Sequence, residues 1–467
     1  MAAASRKYPP TSAQKKARDD AFVAAIDADA ACRVASHHRD GRPCHPFRAS
    51  AHGSFNVCFF VEFDDDDGTQ WVVRFPIATN VFDPWEKIQS EVATLRYLEK
   101  HTTIPVPHVH AFGPQAAPSA ANPTGLAYLI VDYVPGTQVD LAALVRGPKE
   151  RRVHFYAQLI DVLAELYAQQ FDRAGSLTLD RGGDTDEPVL GPLVSMQLNE
   201  LRVQRGELVV PSQQCRSAID FAFYQYRVLR EKCQTPTERM NEREAQLEVF
   251  ALHDVQGQLV ASIRPEENHG PFVLCHSDLR WSNIIVGDDD DDDNYRIRGI
   301  IDWEWAAVVP RQCFTPPFWI TGQYVDDVNG ALYFLEYRRP FHEILKAKAA
   351  EAAKAAEAAE APAASSSSSS SSPACRALAD AWPRTLTDSL AFSMAFLLRH
   401  HNTFIPLYYQ GVFPKCYKTK ADDAVTQFFQ VQGDDSIFGR AVKARLDACA
   451  EYVGYLRNNG ISFDEDG

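Results

Sequence analysis

In the stretch HGSFNVCFFVEFDDDDGTQWVVRFPI, Val57, Phe59, Val61 and Phe63 fall on every second position, and a second apolar run follows at 71–77. The acidic segment 64–68 between them ends in glycine, so the pattern predicts a β-hairpin. The period then changes. Ile88, Val92, Leu95 and Leu98 form a helical stripe, preceded by Asp83-Pro84-x-Glu86. That tetrad reads as an N-cap, a proline at the first helical position and a capping-box acid, opening a helix to about Lys100. AYLIVDYVPG (127–136) is a further strand that stops at Pro-Gly, the expected change of lobe. Beyond it Leu159, Val162, Leu163 and Leu166 give 151–171 a helical period, and 215–250 reads as helical too. Strands return in FVL, NIIV and YRIRGIIDW. At the other end, a polar, loose 1–18 precedes an amphipathic helix at about 19–36.

Residues 346–373 break the pattern. KAKAAEAAKAAEAAEA has high helix propensity and nothing to bury, and 365–372 is an unbroken serine run. The expectation is a helical extension fraying into an insert, after which LADAWPRTLTDSLAFSMAFLL resumes helical patterning. The domain reading is a tail and helix at 1–40, a first lobe at 41–134, and a second lobe at 135–467 carrying the insert.

Composition changes this picture little. The 467 residues are 45% hydrophobic and 23% charged, ordinary for a globular chain. Of the net charge of −15, ten units sit in two aspartate runs at 64–67 and 288–293, so the remainder is −5. The runs read as solvated loops, the second as a hairpin tip. No basic stripe interleaved with aromatics points to nucleic acid. The ten cysteines are scattered without a C-x-x-C pair and read as reduced thiols, and no apolar leader or membrane-length run is seen. The expected compartment is the cytoplasm, with no membrane, nucleic-acid or protein partner indicated.

The chemistry starts with a carboxylate on an apolar stripe. Glu91 lies i+3 from Ile88 and i−4 from Leu95, so it needs a partner, and Arg74 within WVVRFP offers one. The alternative is that Glu91 sits at the stripe edge while Arg74 reaches solvent. Just before the hairpin, HGSFN could present backbone N–H groups at 53–56 to phosphate oxygens. In LCHSDLRWSN, Asp278 and Asn283 are five residues apart, and Asp302 follows the strand IRGII. A loop acid, a loop amide and a strand-end acid across a hairpin suit a magnesium ion and phosphates. H-x-D-x-x-x-x-N followed by an acid after a strand is the order used in phosphoryl transfer. Trp303, Trp305, Phe318, Trp319 and Tyr324, with Asp326 and Asp327, could line a pocket for a cationic acceptor. The plainer reading makes most of those aromatics core. His37-His38 and His400-His401 lack ligand spacing and read as surface or helix-end residues.

GSFNVCFFVEF, WVVRFP, SEVATLRYL, YLIVDYVPG, FDRAGSL, GPFVLCHSDLRWSNIIV and GIIDWEWA, in this order over about 40–320, resemble the aminoglycoside phosphotransferase-like family. The likeness is to its large fungal set, within the protein-kinase-like superfamily. The resemblance implies an α+β, bilobal protein-kinase-like fold, with a small antiparallel-sheet lobe and a larger, mainly helical one. It implies transfer of a phosphoryl group from ATP or GTP, with Mg2+, to a hydroxyl of a small molecule. Asp278 would be the catalytic base and His276 would brace its loop. Asn283 and Asp302 would hold magnesium. Gly53, Ser54 and Asn56 would form the phosphate loop, with Arg74 on the third strand contacting phosphates and Glu91 anchoring it. Asp132 and Val134, in the 131–134 hinge, would meet the nucleotide base through main-chain groups. Arg74 stands where lysine is usual, and Ser277, Arg280 and Trp281 replace the Gly, His and Pro of the antibiotic-modifying members. A nucleotide-binding pseudokinase scaffold is the alternative. Protein-kinase activity has no A-P-E segment to support it.

Overall fold

The computed structural model describes residues 8–180, 187–206, 210–287, 295–321, 331–359, 373–383 and 385–463. The expectations placed on 288–293, 365–372, Tyr324, Asp326 and Asp327 lie outside them.

Two helices precede the first lobe, α1 (Ser12–Ala24) and α2 (Ala28–His37), where the sequence suggested one. Asp27 breaks the run because its carboxylate accepts the Asp29 N–H and starts α2 afresh. Five strands follow or flank them: β1 (Cys44–Pro46), β2 (Ala51–His52), β3 (Asn56–Phe63), β4 (Gln70–Pro76) and, after helix α3 (Pro84–His101), β5 (Val109–Gly113). With β6 (Tyr128–Asp132) they make an antiparallel sheet ordered β1-β3-β4-β6-β5, and β2 pairs with β3.

The period of two in β3 is real: Val57, Phe59, Val61 and Phe63 are buried against α2. β4 is buried on both faces, which explains its unbroken apolar run. Trp71, Val73 and Phe75 join the α2 side, while Val72 joins the core that includes α3. Arg74 has the parity of Val72, so the pleat carries it to the α3 side. Asp83 caps α3 by accepting the Trp85 and Glu86 N–H groups, but the expected reciprocal bond from Glu86 does not form. Glu86 lies 3.6 Å from Arg202.

The crossing to the second lobe is tight. Gly136 has φ of +130°, and a Cβ there would stand 2.3 Å from the Val286 carbonyl oxygen. Only glycine fits that approach. Beyond it lie β7 (Thr137–Gln138), α4 (Leu141–Arg146), α5 (Lys149–Ala168), β8 (Gln170–Phe171), β9 (Ser176–Leu179) and β10 (Pro188–Gly191). Helices α6 (Met196–Arg205), α7 (Ala218–Cys233) and α8 (Glu242–Gln258) come next, so 215–250 is two helices, the second opened by a capping box at Asn241. The strands β11 (Phe272–Cys275), β12 (Ile284–Val286), β13 (Ile297–Ile300) and β14 (Ala307–Pro310) form two small sheets, β14-β11-β8 and β13-β12-β7.

The rest is helical: α9 (Ala331–Ala359), α10 (Pro373–Ala381), α11 (Leu390–Arg399), α12 (Phe404–Leu407), α13 (Phe413–Cys416), α14 (Ala421–Gln432) and α15 (Ile437–Asn458). The start of the alanine-rich segment does bury something. Ala352 is in the core and Lys348 meets Asp161 at 3.0 Å. The whole is an α+β, bilobal, kinase-like arrangement, as the sequence suggested.

The first described residues meet the last helix, α15. Tyr8 packs on Tyr452 and Tyr455, with ring centroids 5.6 and 4.8 Å away, and the Tyr452 hydroxyl donates to the Pro9 carbonyl at 3.1 Å. Further along α1, Asp19 accepts from Thr79 Oγ1 (3.0 Å) and Asn80 Nδ2 (2.9 Å). Asn80 Nδ2 also donates to the Ser54 carbonyl at 2.9 Å.

Candidate active site

The floor of the cleft is an ionic cluster. Arg74 Nη1 donates to Glu91 Oε1, so the strand arginine and helix glutamate are paired, and both are buried. The alternative in which Arg74 reached solvent is thereby excluded. Arg74 Nη2 reaches Asp302 Oδ1 at 2.6 Å and Glu304 Oε2 at 3.4 Å. Two residues that the sequence reading passed over complete the cluster: Lys87, one turn before Glu91 on α3, and Glu304. Lys87 is only 1% exposed and pairs with Glu304, and its Nζ donates to Asn56 Oδ1 at 2.9 Å. The signal was the i, i+4 relation of Lys87 to Glu91 and the second acid in IDWE.

Two cations thus face three carboxylates. Burial pushes Glu91 and Asp302 above the usual carboxylate range, against the pull of Arg74. Burial acts on Glu304 too, but Lys87 and Arg74 outweigh it and hold its carboxyl low.

The phosphate-loop candidates are a hairpin turn between β2 and β3. Gly53 and Ser54 are exposed, and the Gly53 N–H closes the turn on the Asn56 carbonyl at 3.0 Å. The Asn56 side chain is not open to the cleft: it donates to Glu304 and accepts from Lys87. In the hinge, the Asp132 N–H donates to the His108 carbonyl, and its carboxylate takes His110 Nε2 at 2.6 Å. Val134 packs on Gly299, where any Cβ would meet it at 2.8 Å.

The catalytic-loop candidates sit between β11 and β12. His276 is buried, hydrogen-bonds through Nε2 to the Ile301 carbonyl at 2.9 Å and packs on Trp303 at 4.4 Å. Burial pushes it down to about 4, so it is neutral at pH 7. Ser277 and Asp302 both have left-handed backbones, φ +60° and +64°, uncommon for residues other than glycine. Each is held: Arg399 of α11 donates twice to the Ser277 carbonyl (2.6 and 3.2 Å), and Arg74 takes Asp302. Arg399 carried no sequence signal, since it lies 122 residues away in a helix.

Asp278 is half-buried, and burial raises its carboxyl despite Arg280, at 3.5 Å, and Arg399. Asn283 Nδ2 donates to the Asp278 carbonyl at 2.9 Å and lies 3.4 Å from its Oδ2. The Asn283 main-chain carbonyl accepts the Ile301 N–H at 3.0 Å, which ties the loop to the chain one residue before Asp302. With its amide nitrogen committed, Asn283 has Oδ1 to offer a cation, and Asp302 has Oδ2. An oxygen pair next to a cluster with one surplus negative charge fits magnesium.

Trp303 and Trp319 are core, as the plainer reading had it, and Trp319 Nε1 pins the Leu279 carbonyl at 2.8 Å. His400 and His401 follow the end of α11, but His401 is buried rather than at the surface. On the far side of Ser277 a narrow cavity of about 50 Å³ opens among α6, α7 and α11.

A sequence model of the phosphotransferase enzyme family (APH) matches residues 51–313. The chain belongs to that family. A 294-residue stretch is 26% identical to the "Probable acyl-CoA dehydrogenase IBR3" of Arabidopsis thaliana, covering 62% of this chain and 30% of that protein. The chain therefore spans under a third of that relative's length. Among solved structures, an ethanolamine kinase of Plasmodium vivax is 11% identical with a TM-score of 0.38, over 86% of this chain and 81% of the other. A macrolide 2'-phosphotransferase, MphH of Brachybacterium faecium, is 17% identical with a TM-score of 0.36, over 68% and 83%. Both likenesses are remote. The family assignment rests on the match at 51–313. All ten cysteines of this phosphotransferase-family chain are free thiols, and none of its described helices is long and apolar enough to cross a membrane.

Proposed function

We propose that the chain transfers the γ-phosphoryl group of ATP or GTP to a hydroxyl of a small molecule. The observation that carries this reading is the junction of the two loops: the Asn283 side chain is bonded to Asp278, and its main-chain carbonyl accepts the Ile301 N–H, one residue before Asp302. Asp278 accepts the proton of the acceptor hydroxyl as its oxygen bonds to the γ-phosphorus. The bond from that phosphorus to the bridging oxygen breaks, and the nucleoside diphosphate leaves. A carboxylate raised by burial is a better base than an exposed one. Asn283 and Asp302 would hold magnesium, which when bound neutralises charge on the phosphates. Arg74, oriented by Glu91, brings a guanidinium to the same place, with a planar head where lysine would bring a point charge. His276, neutral and bonded to the Ile301 carbonyl, keeps the loop in register. Gly53 and Ser54 supply the turn over the phosphates, and Asn56 fixes its base to Lys87 and Glu304. Asp132 and Val134 border the nucleotide base, presenting main-chain groups.

One feature supports a second reading, a nucleotide-binding scaffold. The Arg74 head is already occupied by Glu91, Asp302 and Glu304. The deciding experiment follows thermal stabilisation by Mg-ATP and Mg-GTP, then nucleoside diphosphate release over amino alcohols, sugars and aminoglycosides. Turnover that disappears in Asp278→Asn supports transfer; stabilisation without turnover on any acceptor supports the scaffold.

A further inference from the structure

We propose that the acceptor has an apolar body without positive charge, and that it seats a slim apolar end in the cavity beside Ser277. This rests on the phosphotransferase reading above and names the substrate class for it. The cavity is walled by apolar side chains, among them Leu193, Phe221, Val309, Ala395 and Leu398. Among the described residues its one charged lining residue is Arg399, and no carboxylate lines it. A polyamine entering it would meet a guanidinium and no anion, so the wall discriminates against cations by both desolvation and repulsion.

Two of the lining residues, each more than nine-tenths buried, carry a polar atom without a partner: Gln225 Oε1 and Trp305 Nε1. One accepts and the other donates, and buried polar groups ordinarily find partners. A neutral group with both capacities, such as a hydroxyl or an amide, satisfies them; an ammonium can serve only the first. The volume of about 50 Å³ sets the scale. A water needs roughly 10–15 Å³ by this measure, so the slot takes a few methylenes and not a sugar ring. Ser277 forms part of the wall and immediately precedes Asp278, the proposed base.

The test measures kcat/KM for nucleoside diphosphate release with hydroxylated aliphatic alcohols and amides of increasing length, against kanamycin. Efficiency should rise about fourfold per buried methylene until the slot is full. Ala395→Val, which adds two methyl groups to the wall, should lower kcat/KM for the longest good acceptors about tenfold and leave the shortest unchanged. Its Mg-nucleotide thermal shift serves as the control for folding. A higher efficiency for kanamycin than for every apolar acceptor overturns the inference and leaves the phosphotransferase reading standing. So does a series flat in chain length, or an Ala395→Val effect independent of length. Nucleotide stabilisation without turnover on either class overturns the inference and the transfer reading together.

Discussion

The two walls of the cleft solve opposite problems. On the nucleotide side five charged side chains are packed together, and each finds a partner: Arg74, Lys87, Glu91, Glu304 and Asp302. On the proposed acceptor side the wall is mostly apolar, and two buried polar atoms of its residues have none. A phosphate-bearing partner brings charge, so the wall that meets it must hold charge in fixed positions before it arrives. A wall that selects a neutral body does so by withholding partners until the right molecule supplies them. The cluster is therefore complete in the free protein, whereas the two polar atoms of the slot residues have no partner there.

The largest effect should come from the point where the walls meet. Asp278→Asn should lower phosphoryl transfer about a thousandfold, within the range usual for a positioned base. Nucleotide-induced thermal stabilisation should persist, and a variant with ordinary turnover would remove Asp278 from the mechanism. In the wild type, the acid limb of kcat/KM should lie above the ordinary aspartate value of 3.8, because burial raises this carboxyl.

The nucleotide wall itself breaks next. Glu304→Gln should destabilise the fold by about 3–5 kcal/mol in urea unfolding, since it leaves Lys87 buried beside a neutral amide. Adding Lys87→Met should recover a large part of that loss, and a double-mutant cycle reads the coupling. A single-variant cost below about 1 kcal/mol would mean that water reaches the cluster, and the contrast between the walls would collapse.

Acid should loosen both sides together. His276 is pushed down to about 4 and His401 to about 3, each mainly by burial. In the unfolded chain each takes up its proton near 6.5, so between pH 6.5 and about 4 the unfolded state binds more protons. Stability should be full above pH 6.5 and fall as pH drops, by up to about 1.4 kcal/mol per pH unit for each histidine. Unfolding midpoints that stay flat from pH 7 to 5 would contradict this. The smallest effect has the opposite sign: Gln225→Met should stabilise the free protein by about 1 kcal/mol, because it removes a buried oxygen that has no partner. Destabilisation by that change would show that the amide is already satisfied.

Much of this was legible in the sequence, for local reasons. The hairpin at 56–76 announced itself through its period of two, and α3 through its proline and N-cap. The Arg74-Glu91 pair followed from one misplaced carboxylate on an apolar stripe. The sequence was silent where partners come from far away. Arg399 is fixed on Ser277 only once α11 has folded against the loop, and Lys87 looks like any exposed lysine until Glu304 is placed over it. Asn56 was placed in the phosphate loop through its backbone, and nothing in its neighbourhood announced that its side chain would join the buried cluster. Asp132 was read through its backbone, and its N–H is bonded to the His108 carbonyl just before β5, a partner that the sequence did not announce.

The packing of the first described residues on α15 bears on how the protein can be cut. A fragment trimmed to the matched family region, 51–313, would lack Asp19, which steadies Asn80 and through it the Ser54 carbonyl. It would also lack Arg399, which holds the left-handed Ser277 from outside that region. Both the 53–56 turn and the loop after β11 would then lose an anchor that lies outside the matched region. For this chain, the segment that resembles its relatives is not the smallest piece that carries the working geometry.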